Sequence, residues 1–139
     1  MQSKHTKTAV STEPSFRLLI GVMSLFDRMA RRQIVRNAYR HFDFSNLPVN
    51  IMFVDANVNT NFEIEYKVNK VLKMQKLASK WENETYRDIL HLDCIENLEK
   101  GKVYEYFKKV GLEFKNQYTH IMKTDDDSFV NIPGALLSV

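Results

Sequence analysis

The sequence predicts an α/β fold built on a mainly parallel sheet. Short apolar runs alternate along it with stretches of helical periodicity, in the order β-α-β-α-β-α-β. Parallel strands joined by helices on the sheet faces satisfy such an order. The runs also tend to end in turn-forming or acidic residues, where ligands collect in sheets of this kind. With 44% apolar and 27% charged residues, the 139-residue chain belongs with globular domains rather than disordered ones.

Composition removes several other classes. Four Gly, three Pro and the single Cys94 exclude collagen-like, low-complexity and disulfide-framework proteins. No apolar run reaches the ~20 residues that span a bilayer. The opening MQSKHTKTAVSTEPS lacks the apolar centre of a signal peptide. Neither an anchor nor an export address is therefore expected. The net charge of +3 is uneven, with eight Lys/Arg against four Asp/Glu in residues 1–60 and twelve against thirteen in residues 61–139. That is too mild for a nucleic-acid-binding domain and favours a small anionic ligand.

Residues 1–15 are polar and aperiodic, and read as a disordered lead-in to one domain over residues 16–139. Residues 16–22 (FRLLIGV) form the first buried strand. Asp27 is placed to cap a helix from Arg28 to Arg40, with Ala30, Ile34 and Ala38 on its apolar face. Residues 49–54 (VNIMFV) form a second strand, stopped by the turn formers of residues 55–61. A long helix follows from Glu63 to Trp81, striped by Ile64, Val68, Val71 and Leu72 and extended by Ala78 and Trp81. Residues 88–92 (DILHL) make a third strand. Leu98 to Val110 is helical, with Val103, Tyr106, Phe107 and Val110 on one face and Gly111 placed to end it. Residues 118–123 (YTHIMK) make the fourth strand and run straight into Asp125-Asp126-Asp127.

Three features should lie at the carboxyl edge of this sheet: the Ser24–Asp27 turn, Asp55 and the aspartate triplet. Three consecutive carboxylates repel one another. On extended backbone Asp125 and Asp127 would point one way and Asp126 the other, a pair suited to Mg²⁺ or Mn²⁺ shared with phosphates. A solvated acidic turn is the plainer alternative. The apolar flanks, a strand before and Ser128-Phe129-Val130-Asn131 after, weigh towards a site.

The segment Lys123 to Pro133 (KTDDDSFVNIP) resembles the aspartate-motif region of glycosyltransferase family 31, the β-1,3-galactosyltransferase-like enzymes. Four further segments agree in order. Residues 18–22 (LLIGV) resemble the family's first strand, and 31–39 (RRQIVRNAY) its Arg-Arg-x-x-Ile-Arg-x-Thr-Trp helix, with Ala38-Tyr39 in place of Thr-Trp. Glu82 to Tyr86 with Asp88, Ile89 and Leu90 resemble its Glu…Tyr-x-Asp-Ile-Leu segment. Glu96-Asn97-Leu98 with Gly101-Lys102 resembles its Glu-Asn-x-x-x-Gly-Lys stretch. The resemblance covers residues 16–137.

It implies a Rossmann-like, GT-A-type nucleotide-sugar-binding sheet with helices on both faces, truncated to its N-terminal half. The implied activity is inverting, β-1,3-type transfer of galactose or N-acetylglucosamine from a UDP-sugar to a glycan or glycoprotein acceptor. A non-catalytic UDP- and metal-binding fragment is the alternative. Asp127, with Asp125, would hold Mn²⁺ (or Mg²⁺). Asp125 would face the ribose or a metal-bound water, and Asp126 the sugar or the loop. Lys102 would approach the diphosphate, or else be an ordinary surface lysine. Arg31 and Arg36 would brace their helix or approach the nucleotide, while Arg28, Arg32 and Arg40 would be solvated. The catalytic base is expected beyond Val139. Family members are Golgi membrane proteins with lumenal catalytic domains and an N-terminal anchor, so the resemblance implies the lumenal side of the Golgi membrane, although no anchor is expected within these residues.

The remaining candidates are plainer. Asp55 can contact the uridine or simply start its turn, Cys94 reads as a buried thiol and Trp81 as a packing group. His5, His41, His91 and His120 have no metal-ligand spacing, so no zinc site is expected. Asn83-Glu84-Thr85 fits an N-glycosylation acceptor, meaningful only in a secretory lumen.

Overall fold

The computed structural model describes residues 16–41, 46–57, 70–97 and 101–138. The lead-in, and Ile64, Val68 and Leu98 of the predicted helices, lie outside these residues. Strands Leu18–Met23 (β1), Val49–Asn57 (β2), Ile89–Ile95 (β3) and His120–Asp125 (β4) alternate with helices. Among the described residues the helices are Met29–Arg40 (α1), Lys70–Tyr86 (α2), Lys102–Glu113 (α3) and Ile132–Leu137 (α4). The strands form one all-parallel sheet in the order β3-β2-β1-β4. This is an α/β architecture compatible with a Rossmann-like fold. Among the described residues, no helix is long and apolar enough to cross a membrane.

β1 sits inside the sheet and is buried along its whole length, which is why it reads as an unbroken apolar run. Leu18, Ile20 and Val22 face α1 and α4, where they meet Val35, Tyr39 and Ile132. Leu19 and Met23 face the other side and pack with Tyr106 and Val110 of α3. Gly21 shares that second face. A Cβ there would stand 2.4 Å from the Tyr106 ring, so only glycine lets the ring approach β1. Tyr106 is fully buried, its hydroxyl donates to the Met122 carbonyl at 3.0 Å, and burial pushes its phenol well above the usual range.

Several expected details are corrected. The buried face of α1 is Arg32, Val35 and Tyr39, whereas Ala30 and Ile34 are exposed. An apolar-only period missed the face because an arginine lies at its centre. Asp27 does not cap α1; Arg28 holds that position without a side-chain hydrogen bond. Trp81 is exposed and stands edge-on to Tyr86. The fully buried side chain on the described part of α2 is instead Glu82. β2 runs through Asp55 to Asn57, and α3 runs through Gly111 to Glu113. The sequence pattern also missed α4, a short helix capped by Asn131, whose Oδ1 accepts from the Gly134 amide at 3.2 Å.

Candidate functional site

The sheet order reverses between β1 and β4, and this is where open parallel sheets bind ligands. Met23 and Asp125 are paired in register at the carboxyl ends of these two strands. The residues that follow them meet directly: Ser24 Oγ donates to Asp126 Oδ2 at 3.0 Å. Beside this contact is a cavity of about 170 Å³, lined by Met23 to Leu25, Arg28, Glu96, Lys102 and all three aspartates. Two of the three expected strand-end features, the β1 turn and the triplet, therefore converge, whereas Asp55 does not join them.

Within the triplet, the expected alternation of extended backbone does not hold. β4 ends at Asp125 and the chain turns, with the Ser128 amide donating to the Asp125 carbonyl at 3.2 Å. Asp126 is the buried member, held by Ser24 and, from its Oδ1, by Arg28 Nη1 at 3.5 Å. Asp127 is exposed and accepts from the Ser128 hydroxyl at 3.3 Å. Asp125 Oδ1 is shielded from solvent without a hydrogen-bond partner; Lys123 Nζ is 3.0 Å away, close enough to pair as a charge but not aligned to donate.

Lys102 is 1% exposed, which excludes the ordinary surface lysine. It opens α3 after Gly101, whose φ of +117° favours a residue without a Cβ. Its ammonium donates to the Ser24 carbonyl at 3.1 Å and to Glu96 Oε1. Glu96 Oε2 in turn accepts from the Ala56 amide at 2.9 Å. The lysine thus enters the cavity wall already tied to β1 and to the β2–β3 end.

No protein-family model and no curated protein matches the chain.

Arg31 lies outside this cavity. It is exposed and lines a neighbouring hollow of about 410 Å³, which Asp126 and Asp127 also border. Arg36 is absent from both. Its guanidinium pairs with Glu82 at 2.7 Å and with Asp88 at 2.7 and 2.8 Å, and lies over the Tyr86 ring at 4.0 Å. Of the two readings of Arg36, bracing is the one seen, because its donors are taken by these carboxylates. Arg32, expected to be solvated, is 1% exposed and holds Glu82, Ser24 and the β1 turn. The clue in the sequence was Glu82 within the Glu…Tyr-x-Asp-Ile-Leu segment, but nothing local named its partner.

Asp55 sits one strand away, in a separate cavity of about 240 Å³. Its Oδ1 is 2.8 Å from His91 Nδ1, and His91 Nε2 is 2.8 Å from Asn57 Oδ1. The Asp55 hydrogen bond raises the imidazole above its ordinary value. Cys94 is half-buried rather than buried, and partial burial pushes its thiol up. Asn83 lies exposed in the last turns of α2, where Thr85 Oγ1 donates to the Trp81 carbonyl at 2.8 Å.

Among the described residues, no three His, Cys, Asp or Glu side chains gather as a metal cage. The donor set still fits a hard cation that takes most of its coordination from water and phosphate. Asp127 is accessible, Asp125 lines the same cavity, and Asp125 Oδ1 accepts no hydrogen bond, its charge being met by the Lys123 ammonium that a cation would displace.

Proposed function

We propose that this chain is the nucleotide-sugar-binding part of a GT-A-type hexosyltransferase of the family 31 kind. The observation that carries the reading is the meeting of Arg28 and Lys102 with the aspartate triplet in one cavity at the β1–β4 reversal. Cationic side chains and hard oxygen donors side by side suit a diphosphate and a divalent cation together. The donor is UDP-galactose or UDP-N-acetylglucosamine, and the acceptor a glycan or glycoprotein hydroxyl in the Golgi lumen. The transfer inverts the anomeric centre.

In this reading Asp127 and Asp125 hold Mn²⁺ or Mg²⁺. When bound, the cation offsets the charge that grows on the departing UDP. Arg28 adds positive charge at the rim, and Lys102 adds it from the wall while holding Ser24 in place. Asp126 fixes the turn rather than touching the sugar, because its oxygens already serve Ser24 and Arg28. Arg31 sits on the far side of the aspartate turn, where it is available to a group extending from the donor.

Titration calorimetry of the folded chain with UDP, in Mn²⁺ and in chelator, tests the proposal. Tighter binding in Mn²⁺ is expected. Equal affinity in both would overturn the reading.

A further inference from the structure

Arg32 is buried beside the candidate site yet has no donor left to offer a ligand. A guanidinium carries five N–H groups, and here each has an acceptor. Nε and Nη2 donate to the two oxygens of Glu82 at 2.8 Å each, and Nη2 also reaches the Phe26 carbonyl at 2.8 Å. Nη1 donates to Ser24 Oγ at 3.1 Å and to the Leu25 carbonyl. The side chain therefore gathers three consecutive residues of the β1 turn onto one rigid plane. Glu82, on α2, fixes that plane from the other side.

The contact with Ser24 has a directional consequence. A serine hydroxyl has one proton. Because Ser24 Oγ accepts from Arg32, its own proton is directed to Asp126 Oδ2, 3.0 Å away. The Ser24 carbonyl is held separately by Lys102. Asp126 is the middle residue of the aspartate turn, between Asp125, which ends β4, and the exposed Asp127, so its carboxylate ties that turn to the β1 turn.

We infer that Arg32 is a positioning residue for the aspartate turn: acting through Ser24, it holds Asp126 and thereby sets how Asp125 and Asp127 line the cavity. The inference rests on the proposed reading of that cavity as a UDP and divalent-cation site. It adds the group that prearranges the site without touching either ligand.

The test uses the full chain in two measurements. In the ligand-free protein, the carboxyl ¹³C resonance of Asp126 is compared among wild type, Ser24→Ala, Ser24→Thr and Arg32→Lys. It should move in Ser24→Ala and Arg32→Lys and stay near its wild-type position in Ser24→Thr, which keeps a hydroxyl. UDP affinity is then measured in Mn²⁺ and in chelator, and the ratio of the two is compared. The ratio should fall about tenfold in Ser24→Ala, the scale of one lost hydrogen bond to a buried charge, and recover in Ser24→Thr. Loss of thermal stability alone would not produce this pattern. Should Arg32→Lys fail to fold, the serine pair still decides the Ser24 link, and Glu82→Gln, which loosens the Arg32 plane, replaces it in the carboxyl measurement. An unmoved Asp126 resonance, or a wild-type affinity ratio in folded Ser24→Ala, overturns the inference. A wild-type chain with no Mn²⁺ gain overturns the UDP–metal reading instead, and the resonance comparison still decides the coupling of Arg32, Ser24 and Asp126.

Discussion

Arg32 and Glu82 face each other through two parallel hydrogen bonds of 2.8 Å, with both side chains sealed from water. They are 50 positions apart in sequence and join α1 to α2. Glu82 also accepts from Arg36 at 2.7 Å, so one carboxylate answers two cations. A buried charge without its partner is severely destabilising, and this arrangement makes Glu82 a sensitive point of contact between α2 and α1.

Glu82→Ala should therefore cost about 3 to 5 kcal/mol, the scale of breaking a buried ion pair by removing one partner. Chemical denaturation monitored by circular dichroism measures it. A loss under about 1 kcal/mol, the scale of an exposed pair, would mean that water replaces the carboxylate without penalty.

The same carboxylate gives a pH dependence of defined sign. Burial alone would raise it, but the hydrogen bonds from Arg32 and Arg36 outweigh burial and lower it below its ordinary value of 4.5. A depressed folded value contributes stability that is present above the unfolded pKa and lost as pH falls through the folded one. Unfolding free energies measured downward from pH 6 should fall below about pH 4.5. In a folded Glu82→Gln variant this fall should be shallower.

His91 has the opposite sign. The Asp55 hydrogen bond raises its folded pKa above 6.5, so its contribution is present below that value and lost as pH rises through the folded one. NMR titration of the His91 ring should place its midpoint above 6.5 in the wild type. Asp55→Asn should bring the midpoint down, and an unchanged midpoint would refute the pairing.

Gly21→Ala should destabilise the fold by about 1 to 3 kcal/mol, the usual cost of overpacking, because the new methyl would meet the Tyr106 ring at 2.4 Å. In a Tyr106→Leu background the added cost should shrink, since neighbouring sites are non-additive. Thermal melts of the two single variants and the double variant report the coupling.

Asp126 and Asp127 should separate stability from binding. Asp126→Asn weakens the buried contact with Ser24 and the longer, partly exposed one with Arg28, and should lower stability by about 1 to 2 kcal/mol. Asp127→Asn is exposed and should leave the melting temperature unchanged while removing most of the Mn²⁺-dependent gain in UDP affinity. Matched melts and calorimetry check the pair. A destabilised Asp127→Asn with intact Mn²⁺ dependence would reverse these roles.

Much of the architecture was legible in local pattern. The apolar runs at Leu18, Val49, Ile89 and His120 gave strands, and their spacing gave parallel crossovers. The boundaries drifted where a polar residue continued an element, as Asp55 does in β2, or where glycine was tolerated within a helix, as at Gly111 in α3. Trp81 was misread because a large apolar side chain suggests a core, while the neighbouring Glu82 took the buried position on α2.

From its own residues, then, the chain determines an alternating α/β order and places the β1 turn, Asp55 and the aspartate triplet at the carboxyl ends of strands. Periodicity and turn chemistry act over a few residues, and that is the range over which sequence alone can specify them. The tertiary structure decided which of these ends meet. The order β3-β2-β1-β4 sets β1 beside β4, so Ser24 reaches Asp126, while Asp55 is left one strand away with His91. It also decided that Arg32 is buried and Arg31 exposed, although the two are adjacent. A buried guanidinium is stable only where carboxylate and carbonyl partners from distant parts of the chain surround it, and no local pattern encodes partners 50 residues away.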